Sequence, residues 1–443
     1  MHVLRSSLLG AAGFLAAALA GTAPAQTPPD GLIVSHFTSG GGVGGVAIVD
    51  NVALTSTLVN GGLACVEANS VAIDPYDPSK VYIGGHSPGG SACPTPTDVT
   101  QLTLSGTTVI ASTLVATLPP PADISIPDMV FDDDGNLFVT SEDFVYHLDL
   151  ATGTPTLLYT IPTAPSGSVA ALAYDAVGND LYVGLTVLGQ VHHVDPETAV
   201  ATPVNLAPTS GITGSTTITG VTLSEDLGTV YASTFGSGNP GGPSGPTWIV
   251  QMTTDSSQWP VVPAPLDLMT MTGTLNDVEI HGTKMYTAAG SAMLVHEIDL
   301  STGPPHPATM LGYYPGALTF LGSRSQVDVN EYLDDLTVFP RRPAAGSAVS
   351  MRMALGGPPG QFGVMGIVGF DADGPGPSPF VFSPLVLGVG SFTAPAGNLA
   401  LPAFPVAIPG GSTGATITLG FARIDTMGSL AALDLTAADV EIQ

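Results

Sequence analysis

Basic residues are scarce in this chain of 443 residues, where eight lysines and arginines stand against 36 aspartates and glutamates, for a net charge of −28. Charged residues make up only 10% of the chain, so the imbalance reflects missing bases rather than an excess of acids. Such a surface repels nucleic acid and anionic membranes, and neither is an expected partner. It attracts divalent cations weakly, although a need for solubility also explains it.

Long apolar runs are equally scarce. The run Leu8–Ala20 follows Arg5 and precedes Ala23-Pro-Ala25, which is the layout of a secretory signal with a small-residue cleavage site. It is too short for a typical spanning helix, and no later segment is longer. The sequence therefore predicts a signal peptide over residues 1–25, no membrane span, and a secreted protein. We expect it in the medium or on the cell surface, with the periplasm as the alternative.

Only two cysteines occur, Cys65 and Cys93. In an exported chain an even number of cysteines favours a disulfide, and two unpaired buried thiols are the alternative. Two thiols without further ligands at metal spacing make only half a zinc site. We expect one intramolecular bridge between these two residues.

The chain does contain a phrase that recurs six times, a short apolar strand that opens with a small, amide or acidic residue. The copies are Asn69–Pro75, Pro127–Asp133, Ala170–Ala176, Thr219–Glu225, Asn276–Gly282 and Asp334–Pro340. Their starts are 43 to 58 residues apart, which leaves room for one four-stranded unit each. A period near this size with strand content is typical of propeller blades.

The sixth copy has no second strand after it, because Leu336–Phe339 runs into Pro340-Arg-Arg-Pro343. Three strands without an inner strand of their own lie near the N-terminus, over Leu32–Phe37, Val46–Val49 and Val52–Val59. Joining the last inner strand to these three closes the ring and leaves no open sheet edge. The prediction is an all-β chain whose six-bladed β-propeller, over residues 30–340, is closed by a composite N- and C-terminal blade.

The region beyond Pro343 alternates apolar and small residues in short runs separated by Gly and Pro turns. This pattern predicts a small β-sandwich over residues 345–443, joined to the propeller by an exposed linker. With its ending Asp439-Val-Glu-Ile442, it resembles the C-terminal β-domains of secreted proteins from planctomycete-like bacteria. That resemblance implies a role in attachment or sorting.

Two known repeat types resemble parts of the propeller region. Ile126-Pro-Asp-Met-Val-Phe-Asp-Asp-Asp-Gly-Asn-Leu-Phe-Val-Thr140 resembles an NHL repeat, and the phrases at Tyr182–Gly184 and Asp299–Gly303 are similar to those of YVTN-type extracellular propellers. The resemblance implies the architecture. These families include enzymes, sensors and scaffolds, so function does not follow from the fold.

The starts of the inner strands ring one mouth of a propeller's tunnel, and oxygen-bearing side chains gather there. The candidate ligand-binding residues are Asn69, Asp128, Asn276 and Asp334, and the candidate metal ligands are Asp277 and Asp335. Converging carboxylates repel unless they are protonated, hydrogen-bonded or neutralised by a cation, for which Ca²⁺ is the natural candidate. The alternative is that each Asp accepts hydrogen bonds from nearby backbone N–H groups.

The repeats themselves carry no reaction, and no catalytic residue is predicted. We interpret the chain as a recognition or scaffold protein that binds an extracellular protein, glycan or small molecule. The alternative is a metal-dependent lactonase or esterase of the gluconolactonase and regucalcin-like class, which is similar in its Asn and Asp at inner-strand starts. That resemblance implies Asp277 and Asp335 as metal ligands, with Asn69 and Asn276 orienting the substrate. The chain departs from it by lacking a Glu at the first or second residue of any copy of the phrase.

Overall fold

The computed structural model of the chain describes a set of separate stretches. These are residues 32–36, 45–50, 55–59, 68–75, 77, 79–85, 97–122, 125–132, 134–161, 169–175, 178–186, 189–205, 216–224, 228–236, 247–254, 264–265, 275–281, 283–289, 294–313, 325–329, 336–339, 346, 348–355, 361–371, 385–391, 399–400, 404–407, 416–425 and 433–441. Every regular element in these stretches is a β-strand. None of their residues forms a helix with the length and apolar character needed to span a bilayer.

The chain divides into two compact units, and the larger one holds Gly31–Asp132 and Asn136–Asn330. It begins with the strands β1 (Leu32–His36), β2 (Gly45–Asp50) and β3 (Thr55–Leu58). The next eight are β4 (Ser70–Ile73), β5 (Lys80–Gly84), β6 (Asp98–Ser105), β7 (Thr108–Thr117), β8 (Met129–Phe131), β9 (Leu137–Ser141), β10 (Phe144–Asp149) and β11 (Thr154–Thr160). There follow β12 (Val169–Asp175), β13 (Asp180–Leu185), β14 (Gln190–Asp195), β15 (Val200–Asn205), β16 (Thr216–Leu223), β17 (Thr229–Gly236), β18 (Thr247–Thr253) and β19 (Ala264–Pro265). The last five are β20 (Leu275–His281), β21 (Lys284–Ala289), β22 (Leu294–Asp299), β23 (Ala308–Tyr313) and β24 (Ser325–Val329).

Five propeller blades are each built from four consecutive antiparallel strands: β4–β7, β8–β11, β12–β15, β16–β19 and β20–β23. In the β8–β11 blade the second strand is the most buried, because all five residues of Leu137–Ser141 are buried. Asp caps the turn that leaves the inner strand in at least two blades. Asp132 Oδ1 accepts the N–H of Asn136 at 2.7 Å, and Asp175 Oδ1 accepts that of Gly178 at 2.9 Å. Short Asp-capped turns explain why the phrase is followed at once by a second strand in these two blades.

A further four-stranded sheet joins the two ends of this unit in the order β24-β1-β2-β3. Its strand β24 contacts β20 on one side and β4 on the other, so it lies among the inner strands of the blades. The sequence predicted six blades with one of them composite, and the structure shows five blades together with this composite sheet. It assigned the wrong strand to the closure, however, because Ser325–Val329 rather than Leu336–Phe339 pairs with β1.

The core of this unit lies between blades rather than within them. One cluster combines Phe138 and Val145 of the β8–β11 blade with Leu172 and Val183 of the β12–β15 blade. Another cluster joins the β12–β15 and β16–β19 blades in the same way. Each fully buried side chain of this size contributes about 1.5–3 kcal/mol of transfer free energy, so adjacent blades stabilise one another.

The second unit contains Glu331–Gln443. Its strands are β25 (Leu336–Phe339), β26 (Ala348–Leu355), β27 (Gln361–Asp371), β28 (Leu385–Ser391), β29 (Leu399–Ala400), β30 (Phe404–Ala407), β31 (Thr416–Asp425) and β32 (Leu433–Glu441). One sheet has β26 paired with β25, β29 and β30, and the other has the order β28-β27-β31-β32. The β-sandwich stays a prediction. The strand expected to close the propeller, β25, instead pairs with β26.

Candidate functional site

The candidate site is the end of the tunnel at which the inner strands begin. Three consecutive inner strands carry a β-bulge there, between Val169 and Ala171, between Ile218 and Gly220, and between Leu275 and Asp277. The residues that the bulges leave unpaired are Ala170, Thr219 and Asn276, which the sequence had aligned in one column. A bulge re-aims the side chains beside it, so the aligned residues have equivalent backbone settings in these three blades.

Asp128 lies at this end of β8 and is buried, with 7% of its surface exposed. Its Oδ1 accepts the N–H of Met129 at 2.7 Å, and its Oδ2 accepts the N–H of Leu172 in the next blade at 2.6 Å. Its backbone is held as well, because its carbonyl accepts the N–H and the Oγ1–H of Thr140, each at 3.0 Å. Both carboxylate oxygens therefore bind backbone donors, and one of these bonds ties two blades together.

Asp277 holds the equivalent position in β20, is also buried, and pairs with Ala288 of β21. Gly220 of the preceding blade packs directly against it. A methyl group added at Gly220 would lie 2.7 Å from the Cα and Oδ1 of Asp277 and 2.7 Å from the N of Val278. Only a residue without a side chain fits at that junction.

Asn69 is 1% exposed, and its side chain is directed at the neighbouring blade. Its Nδ2 donates to the carbonyl of Ile126 at 3.2 Å, while its backbone N–H donates to Gly84 at 3.0 Å. This contact with Ile126, like that of Asp128 with Leu172, joins residues far apart in sequence.

Several predicted residues lie outside the described part of the chain. They are Asp334, Asp335, Cys65, Cys93 and the side chain of Asn276. Of the two expected calcium ligands, only Asp277 is described. Within the stretches that the structure describes, no three His, Cys, Asp or Glu residues come together as a metal site. The calcium site and the disulfide stay predictions.

Two Asp–His pairs recur in neighbouring blades, and the sequence did not single them out. His147 Nε2 lies 2.7 Å from Asp132 Oδ2, and His193 Nε2 lies 2.8 Å from Asp180 Oδ1. Both histidines occupy the fourth position of a third strand. That shared position, with an Asp next to the preceding hairpin, is the signal that reveals them.

Two further histidines of the third strands are buried. His192 Nδ1 lies 2.9 Å from the hydroxyl of Tyr159, and desolvation lowers the pKa of both His192 and His296. Within the described residues His296 Nδ1 has no hydrogen-bond partner. Burial therefore favours the neutral imidazole at both positions.

No family model matches the chain, and no curated protein matches it. Solved structures resemble it at low identity. A nidogen/laminin complex matches at 10% identity over 68% of this chain and 100% of that chain, with a TM-score of 0.44. A periplasmic gluconolactonase of Pseudomonas aeruginosa matches at 15% identity over 66% and 98%, with a TM-score of 0.43. The calcium-binding protein regucalcin of Agrobacterium tumefaciens matches at 13% identity over 54% and 73%, with a TM-score of 0.37. At these scores the similarities carry no argument about function.

Proposed function

We propose that the propeller is a recognition or scaffold module of an exported protein, and that it binds an extracellular protein, glycan or small molecule. The observation that carries this proposal is the set of groups that the Asp128 carboxylate binds. A propeller hydrolase needs acidic side chains that present oxygens to a metal or a substrate in the tunnel. Here both oxygens of Asp128 accept backbone N–H groups, and Asn69 likewise donates to a backbone carbonyl.

The composite sheet completes this module as its sixth blade. Its strand β24 contacts β20 and β4, which are the inner strands of the blades on either side. A closed ring has no unpaired inner edge and gives a rigid frame on which surface loops can vary. Such a frame suits binding, for which no catalytic group is needed.

Two assays on the purified full-length chain test the proposal. A glycan array and a small-molecule binding panel would measure binding, and a panel of lactones and esters with and without calcium would measure hydrolysis. We expect at least one class of ligand to bind and no hydrolysis above the buffer rate. Calcium-dependent hydrolysis that Asp277→Asn abolishes, while Asp371→Asn in the other unit leaves it intact, would contradict the proposal and favour the lactonase.

A further inference from the structure

The outermost strands of the propeller differ from the rest of the chain in charge. None of β3, β7, β11, β15, β19 and β23 contains an Asp, Glu, Lys or Arg, although the chain has a net charge of −28. Among the described residues, all five large apolar side chains that are exposed lie on these strands: Ile110, Leu114, Leu157, Val200 and Met310. The outermost strands are therefore uncharged segments of an acidic protein.

Two of these strands, β7 and β23, lack the usual protection of a sheet edge. Natural edge strands avoid pairing with other chains by being short or by carrying charge or proline. The strands β11, β15 and β19 contain Pro155, Pro203 and Pro265, and β3 has only four residues. The strand β23 has six residues and contacts β2 and β3 of the composite sheet, whereas β7 has ten residues, no proline and no charge.

The free part of β7 is its N-terminal two thirds. Its C-terminal end is covered, because Gly153 in the next blade lies against the carbonyl of Val115, where a methyl group would come within 2.7 Å. From Ile110 to Leu114 every side chain is exposed, with 62% and 57% of the surface accessible at the two ends. Two bulges bend β7 against β6, and the residues between them, Ala111–Leu114, pair regularly with β6. Within the described residues β6 is the sole strand paired with β7, so its other edge presents unpaired N–H and C=O groups.

We propose that this edge, from Thr108 to Leu114, is where a second copy of the chain docks, by antiparallel pairing of β7 with β7. Two identical strands paired in this way are related by a two-fold axis, so each supplies the hydrogen-bonding pattern that the other needs. Charge favours a second copy of the chain over a basic peptide as the partner of β7. Two copies of net charge −28 repel, and an uncharged strand is a surface at which they meet with little local repulsion, while a basic peptide would find no acidic side chain on β7.

Sedimentation analysis of the full-length chain at low and high salt tests the proposal. We expect a monomer–dimer equilibrium whose dissociation constant falls as salt rises, because salt screens the repulsion between the copies. The double variant Ile110→Lys/Leu114→Lys should raise the dissociation constant by at least about tenfold, since it places like charges opposite one another. The control Val200→Lys/Met310→Lys alters two equally exposed residues of other outer strands and should leave the dimer intact.

Three results would overturn it. They are a wild-type chain that stays monomeric at high salt, a dimer that the β7 variant leaves unchanged, and a dimer that the control disrupts as much as the β7 variant does. Hydrogen exchange distinguishes the proposed dimer from an alternative in which another segment of the same chain covers β7. If a segment of the same chain covered β7, its amides would be protected at every protein concentration, whereas the proposed dimer protects them only as concentration rises.

Discussion

The innermost and outermost strands of this propeller use polar residues in opposite ways. At the start of the inner strands Asn69, Asp128 and Asp277 are buried, and the side chains of the first two bind the backbone of a neighbouring blade. The outer strands expose threonines and aliphatic residues and carry no charge. The comparison teaches that buried polar side chains at the inner strands hold blades together, whereas the outermost strands themselves carry no charge.

The largest effect is expected where the inner strands pack most tightly. Gly220→Ala places a methyl group 2.7 Å from backbone atoms of Asp277 and Val278, which cannot move aside as a side-chain end could. We expect a loss of about 3 kcal/mol in the free energy of unfolding, measured by urea denaturation. Gly303→Ala is the matched control, because nothing lies within 4 Å of a methyl group there. Equal losses from the two changes would show that the inner strands at Gly220 are not packed more tightly than the turn at Gly303.

A somewhat smaller loss is expected from Asp128→Asn. The amide keeps the shape of the side chain, but its NH₂ group would face the N–H of either Met129 or Leu172 and leave that donor without a partner. We expect unfolding to become easier by about 2 kcal/mol, as measured by urea denaturation. Asp149→Asn, at an exposed turn, should cost clearly less. If Asp128→Asn left the free energy of unfolding unchanged, the hydrogen bond between the blades would not stabilise the protein.

A pH effect should follow from the buried histidines. Burial lowers the pKa of His192 and His296 in the folded protein below the unfolded value of 6.5. Both histidines are neutral in the folded and unfolded states well above pH 6.5, so they cause no loss in the free energy of unfolding there. It declines as pH falls below that value, because the unfolded chain takes up protons that the folded chain resists.

His296→Leu should make the thermal midpoint fall less between pH 7.5 and pH 5.5 than it does in the wild type. Wild-type and variant midpoints that fall in parallel over this range would show that His296 is not a source of the acid sensitivity.

The smallest effect is expected at the rim. Leu157→Thr and Val200→Thr replace side chains that are 46% and 63% exposed. We expect changes within about 0.5 kcal/mol in the free energy of unfolding, again by urea denaturation. A loss as large as that of Asp128→Asn would mean that these two side chains pack against other groups in the folded protein.

The sequence predicted much of this fold, because the phrase that opens each blade is local. Met129–Phe131 and Leu137–Ser141 are legible as a strand pair from their alternation and from the turn between them. The closing strand was assigned wrongly for the same reason. Leu336–Phe339 has the pattern of an inner strand, yet contacts with β20 and β4 select Ser325–Val329, and local pattern does not encode them.

The position of the candidate site was predictable from the sequence, but the hydrogen bonds of its side chains were not. The repeated phrase placed Asp128 and Asp277 at inner-strand starts around one mouth of the tunnel. It could not show that Asp128 Oδ2 reaches the N–H of Leu172, 44 residues away, because that contact depends on how two blades pack. The sequence had left open calcium ligation and backbone hydrogen bonding, and the choice between them needs the neighbouring blade.

Amide hydrogen exchange at Leu172 tests the central claim most directly, because that N–H is the donor that Asp128 binds. We predict slow exchange in the wild type, unchanged by added calcium, and faster exchange in Asp128→Asn, while the amide of Val183, on the opposite strand, stays protected in both. An amide that exchanges freely in the wild type, or that becomes protected only when calcium is added, would contradict the account.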